Sequence, residues 1–172
     1  MKKIIILTAL FLILLPVIQT KAKTKRPELT FEETVETMVR EHKIMLDRLI
    51  AAWEHRQEEI NLLAEIIYHE NWHTDKEHMA AYYTGAVVMN RVNSKAWPNS
   101  VKEVLYQRGQ YSTTKLFYTV ELPEECYEMA RDIYKNGTPD VPYDVVFQAT
   151  FKQGRGDWID PINGEHFCYG RA

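Results

Sequence analysis

The chain has 172 residues, 45% of them hydrophobic, and a formal net charge of −3. That is enough for one domain with a real core and some additional chain. The acidic balance excludes the basic face that a nucleic-acid partner requires. Cys126 and Cys168 lack the CxxC spacing of a metal or redox site. In an exported protein they would be either a disulfide or two separate buried thiols.

Lys2 and Lys3 precede an apolar run, Ile4 to Ile18, interrupted only by Thr8 and Pro16; Thr20 and Ala22 come next at cleavage-site spacing. This pattern predicts a signal peptide over residues 1–22, too short for a comfortable span, and a secreted or cell-envelope location. The leader carries three lysines and no acid, so the remainder is more acidic still. Lys23 to Pro27 reads as a charged linker. From Phe31, apolar residues recur at helical spacing through Val35, Met38, Val39, Met45, Leu46, Leu49, Ile50 and Trp53. Thr30 with Glu33 forms a capping box at the start. This amphipathic helix, within a 23–60 segment, is expected either to dock on the domain or to pair with a second copy, giving a homodimer through residues 31–60.

A catalytic domain is expected over 61–172. Asn61 to Tyr68 reads as a second helical segment, with Leu62, Leu63, Ile66 and Ile67 inward. Thr74-Asp75 marks a turn or N-cap, and Glu77 to Val92 a third helix, buried and central because its later half is apolar almost all round. Trp97-Pro98-Asn99 breaks it, Val101 to Tyr106 is a short helix, and a further helix runs from Pro123-Glu124 to Tyr134, closed by Asn136-Gly137. Val141 to Phe151 is β-branched and aromatic, and the remainder of the chain is punctuated by Gly154, Gly156, Pro161 and Gly164. Short strands and turns are predicted there. The fold class is mainly α (α+β): helical, with a small C-terminal β region.

Chemistry concentrates between Ile67 and Arg91. His69-Glu70-Asn71-Trp72-His73 matches HExxH, a zinc motif when both histidines share one helical face. Thr74-Asp75 interrupts that helix, and His78 lies too close to be the third ligand of the longer zincin pattern. The other reading uses Glu70 alone. A carboxyl just past the apolar run Ile66-Ile67-Tyr68, with Trp72 and Tyr82 or Tyr83 nearby, has the setting of a general acid toward a glycosidic oxygen, and aromatic faces suit sugar rings. Asn90, ending a buried helix, reads as a hydrogen-bond hub, Arg91 as the partner of an acid, and His166 as a structural histidine.

Downstream of Glu70 come Val87-Val88-Met89-Asn90-Arg91-Val92, Trp97-Pro98-Asn99-Ser100-Val101, Gly109-Gln110-Tyr111-Ser112 and Gly164-Glu165-His166-Phe167-Cys168-Tyr169. This succession resembles the SleB-like cell wall hydrolases, the spore-cortex-lytic and related bacterial and phage enzymes. Their blocks run roughly Y-x-E-A-R-G-E, V-V-x-N-R-V, F-P-x-T-V, G-Q-F-S and G-x-H-x-F-Y. The resemblance covers about Leu62 to Gly170. It implies a lysozyme-like fold acting on peptidoglycan glycan strands, with Glu70 catalytic in a lytic transglycosylase reaction that requires no cofactor and no metal. It also implies that Gln110, Tyr111 and Ser112 bind glycan; the aromatic rings of Trp72 and Tyr83 are expected at the same cleft from their nearness to Glu70 in the sequence. The chain departs from the family after Glu70, where Asn71-Trp72-His73-Thr74 replaces A-R-G-E; the motif's second acid is missing, with Asp75 or Glu77 as stand-ins. A zinc-dependent N-acetylmuramoyl-L-alanine amidase, an HExxH metalloprotease and an inactive glycan-binding module are the alternatives.

Overall fold

The computed structural model describes residues 30–171; the expected leader and the Lys23–Pro27 linker lie outside them. The chain divides between Met45 and Leu46 into two compact units. Of the first, the described part is the opening of helix α1 (Phe31–Asn71). Its start is capped as the sequence predicts. The Thr30 amide donates to Glu33 Oε2 at 2.8 Å, and the Glu33 amide donates back to Thr30 Oγ1 at 3.3 Å.

α1 differs from the expectation in one respect: the two predicted helical segments are a single helix of 41 residues. The intervening Glu54–Glu59 stretch has no apolar face, yet it contains neither Gly nor Pro. Good helix formers carry the hydrogen-bond ladder through it. Leu49, Ile50 and Trp53 on this helix are 59%, 54% and 61% exposed. No described helix is long and apolar enough to cross a membrane.

The second unit continues in the order α2 (Met79–Val92), α3 (Val101–Leu105), a 3₁₀ turn (Ser112–Leu116), α4 (Glu124–Asn136), β1 (Val145–Ala149) and β2 (His166–Tyr169). The fold is therefore mainly helical with a small antiparallel sheet. In its register Phe147 faces Cys168, Gln148 faces Phe167 and Ala149 faces His166. Leu62, Leu63, Ile66 and Ile67 of α1 pack with Ala81 and Val88 of α2, Val104 and Leu105 of α3, and Ala130 and Ile133 of α4. The other side of α2 (Ala80, Ala86, Val87) packs on Val141, Val145 and Phe167. α2 is thus the buried central helix that its composition predicts. Gly85 permits the close approach: a Cβ there would stand 2.6 Å from Ile133 Cδ1 and 3.1 Å from Ile67 Cδ1.

Polar residues lock this arrangement. Buried Glu59 accepts from the Val101 and Lys102 amides at 2.8 and 3.2 Å, filling the free donors at the start of α3. At the end of α2, Asn90 Nδ2 donates to the Pro142 and Val145 carbonyls at 2.9 and 3.0 Å, and so acts as the hub predicted. Arg91 meets a carbonyl rather than an acid: its Nε donates to Val146 O at 2.7 Å, and its guanidinium lies 4.4 Å from the Trp97 ring centre. Both cysteines are free and buried. Burial pushes the Cys126 thiol up to about 12, with Glu125 and Glu65 adding to the effect.

Candidate active site

Glu70 lies one residue before the end of α1, half-buried. The chain reaches this point because the apolar residues Leu62 to Ile67 bury the preceding turns completely. Past Asn71 the helix stops, and its last side chain explains the change of direction. Asn71 Nδ2 donates to Thr84 Oγ1 on α2 at 2.9 Å, while its Oδ1 accepts from Thr74 Oγ1 at 2.8 Å. One amide thereby ties α1, α2 and the loop between them. Thr113, on the 3₁₀ turn, donates its hydroxyl to Glu70 Oε1.

The block containing Gln110, Tyr111 and Ser112 comes to this place in alternation. Gln110 and Ser112 are exposed, and Tyr111 between them is buried. The Tyr111 ring stands 5.3 Å from the Arg91 guanidinium, and its hydroxyl is buried without a hydrogen-bond partner. Burial raises the proton affinity of that hydroxyl; Arg91 opposes the rise, while Glu70 and Glu165 add to it. Those influences place the phenol among one cation and two acids.

Glu165 is the residue that sequence reasoning missed. It closes the turn from Ile162, whose amide donates to Glu165 O at 3.0 Å and whose carbonyl accepts from the Glu165 amide at 2.9 Å. Within that turn Asn163 donates its side-chain amide to the Thr74 carbonyl. The tip of the β region is thus fastened to the loop beside Glu70. Burial holds the Glu165 proton more tightly than usual; Gln148 and Asn71 oppose this, and the charge of Glu70 adds to it. The signal available in the sequence was weak: a Glu at the unspecified position of the late G-x-H block.

The stand-ins suggested for a second acid are engaged or exposed. Asp75 accepts from the Met79 and Ala80 amides at 2.8 and 2.9 Å, serving the first turn of α2, and Glu77 is exposed. Trp72 is buried with one ring face covered by His78, the centroids 3.7 Å apart. Tyr83 packs on Trp158 and Phe167 in the apolar cluster on the other side of α2. Only the first of the HExxH histidines is on the helix. α1 ends before His73, so the pair does not share a helical face; His69 Nε2 lies 3.2 Å from Glu65 Oε2, and His73 meets the edge of Tyr68. Among the described residues no three His, Cys, Asp or Glu side chains are grouped to hold a metal. His166 Nδ1 donates to Asp157 Oδ1 at 2.8 Å, with Lys152 Nζ 2.9 Å from the other oxygen. Those two partners hold the Asp157 carboxyl down to about 2, Lys152 contributing most.

A cleft of about 630 Å³ opens where α2 and α4 end, against the Pro139–Tyr143 loop, but neither Glu70, Tyr111 nor Glu165 lines it. Chemistry rather than volume marks the site: two acids, a threonine hydroxyl, and buried polar atoms of Tyr111, Arg91 and Gln148 that lack partners.

No curated protein and no solved structure matches the sequence. One family, described as Cell Wall Hydrolase, matches over residues 75–166, just over half the chain. The match includes Asn90, Arg91, Tyr111, Thr113, Gln148 and Glu165, and begins five residues after Glu70. With more than half its length matched in one continuous span, the chain belongs to the cell wall hydrolase family.

Proposed function

We propose that the protein is a lytic transglycosylase of the SleB-like type, cleaving peptidoglycan glycan after N-acetylmuramic acid with Glu70 as both acid and base. Membership of the family makes it an enzyme acting on peptidoglycan, and so one that works at the cell envelope; the bond and the mechanism are our reading. One observation carries it. Glu70 is a half-buried carboxyl at a helix end, with Thr113 fixing one oxygen, beside buried polar atoms left without partners. That is the arrangement of a group which gives and then takes one proton.

In the first step the Glu70 carboxyl transfers its proton to the glycosidic oxygen. The C1–O bond breaks, and its electron pair stays on the departing sugar. In the second, the 6-hydroxyl of the same muramic acid attacks C1 and returns its proton to the Glu70 carboxylate. The product is 1,6-anhydro-muramic acid, and no water is consumed. Thr113 orients the carboxyl, while Gln110 and Ser112, exposed on either side of Tyr111, bind the glycan. Trp72 and Tyr83 enter less directly, since each ring is packed against aromatic neighbours. Export follows on the same reading from the leader over 1–22, and residues 61–172 form the catalytic part.

The test is mass spectrometry of purified peptidoglycan after digestion, with and without EDTA, by wild type and Glu70→Gln. Anhydro-muramic ends unaffected by EDTA, and a loss of about 10²-fold or more in the variant, are expected. Free stem peptides that disappear with EDTA would refute the reading in favour of a zinc amidase. We also propose a homodimer through residues 31–60, resting on the exposure of Leu49, Ile50 and Trp53. Sedimentation of wild type as dimer and of Trp53→Glu as monomer is expected; a monomeric wild type at high micromolar concentration refutes it.

A further inference from the structure

Five buried side-chain polar atoms among the described residues lack a hydrogen-bond partner, and three of them belong to Arg91, Tyr111 and Gln148. A buried donor or acceptor left unpaired is destabilising, and native interiors rarely hold several together. Here they share one neighbourhood. The Tyr111 hydroxyl feels Arg91, Glu70 and Glu165, and the Gln148 amide lies against Glu165. Arg91 is 3% exposed and Tyr111 8%, so bulk water does not satisfy them. A polar ligand entering from the open side of Glu165, which is only partly buried, would.

Glu165 is held there by a definite chain of contacts. The Asn163 side chain binds the Thr74 carbonyl, Thr74 binds Asn71, and Asn71 binds Thr84. Asn163 adopts a left-handed φ of 49° to make its part of this link. Asn71 is the immediate neighbour of Glu70, so the strap fixes the turn carrying Glu165 against the helix end carrying Glu70.

We propose that Glu165 is a second catalytic carboxyl of this enzyme, facing the sugar at the scissile bond as the negative counter-charge to the cation that develops at C1. The proposal rests on the reading of Glu70 as the proton donor. During cleavage a proton passes from Glu70 to the glycosidic oxygen, and the electron pair of the broken C1–O bond leaves with that oxygen. The Glu165 carboxylate balances the positive charge until the 6-hydroxyl closes on C1 and its proton returns to Glu70. The titratable groups facing Glu165 are Glu70 from α1, His166 at the start of β2, and Tyr111, itself under the charge of Arg91 from α2. Burial first, and then the charge of Glu70, raises the proton affinity of Glu165, while Gln148, Asn71 and His166 oppose the rise.

The full chain tests this, with peptidoglycan digestion followed as kcat/KM against pH for wild type, Glu165→Gln, Glu165→Asp and Glu70→Gln. For Glu165→Gln we expect an unchanged melting temperature and a loss of roughly 10²-fold. The acid limb of the profile, where Glu165 takes up a proton and loses its charge, should be missing from this variant. Glu165→Asp, which keeps the charge, should recover most of the rate. A Glu165→Gln enzyme with wild-type rate and pH profile, alongside an inactive Glu70→Gln, overturns the role of Glu165 and leaves that of Glu70 standing. A loss shared equally by the Asp and Gln variants, with lowered melting temperature, assigns Glu165 a structural part and also overturns the proposal. An active Glu70→Gln enzyme removes the reading on which it rests.

Discussion

Replacing Gly85 by Ala adds one methyl group at the place where α2 lies closest to its neighbours. Two effects oppose each other. Alanine is the better helix former, by about 1 kcal/mol in a helix interior. The new Cβ, however, would sit 2.6 Å from Ile133 Cδ1 and 3.1 Å from Ile67 Cδ1, where carbon contacts prefer about 3.5–4.0 Å. Both isoleucines are fully buried, so neither methyl can swing into solvent, and overpacking of this kind costs about 1–3 kcal/mol. The clash wins by about 1 kcal/mol, a fall of roughly 3–5 °C in melting temperature for a domain of this size. Ile133→Val removes the offending Cδ1. Alone it should cost about 0.5–1.5 kcal/mol; combined with Gly85→Ala it should cost less than the sum, by about 1 kcal/mol. Circular-dichroism melts of the four proteins measure the cycle. A Gly85→Ala protein as stable as wild type, or strictly additive costs, would refute the packing account. Because Thr84 precedes Gly85 and binds Asn71, the single variant should also lose activity.

Thr113→Val removes the hydroxyl on Glu70 at almost constant volume, and kcat should fall about ten- to a hundredfold with KM little changed; steady-state kinetics on soluble glycan fragments decide it. Asp157, held at about 2 by Lys152 and His166, sits below its ordinary unfolded value of about 3.9. Its contribution to stability is therefore complete above about pH 4 and disappears as pH falls through about 2. Melting temperature against pH should drop in that window for wild type, and drop less for Asp157→Asn. Thiol titration should find no rapidly reacting cysteine in the native protein and two after denaturation, since Cys126 and Cys168 are buried and free; a single disulfide would show none in either state.

Much of the fold was legible because the helices of the second unit bury faces at regular spacing. The apolar half of α2 announced a helix covered on both sides, and α3 and α4 came within a residue or two of their limits. The helix runs unbroken where two segments were expected for a plain reason: Glu54 to Glu59 buries little until Glu59 itself, and periodicity sees no helix where nothing apolar repeats. The blocks Asn90-Arg91 and Trp97 to Val101 signalled a family, yet in the structure they hold β1 and start α3. The half-buried setting of Glu70 was legible from the apolar run before it. Glu165 was not, since its partners come from α1 and β1 and no local spacing encodes them. Asp75 looked the better second acid because it is near in sequence, but the amides of Met79 and Ala80 occupy it.

The link between Asn163 and Thr74 also bears on when the protein acquires its acids. Glu70 is made early and can fold with its helix as soon as α2 and α4 are available to pack. Glu165 is made long after it, and residues 162–169 must fold back across the domain before it reaches Glu70, a closure of high contact order. A nascent chain, or one truncated before β2, therefore presents a formed helical core with one carboxyl and an open turn. If Glu165 is the second acid, as proposed, such a chain lacks half of its chemistry and should leave glycan uncut until β2 is laid down.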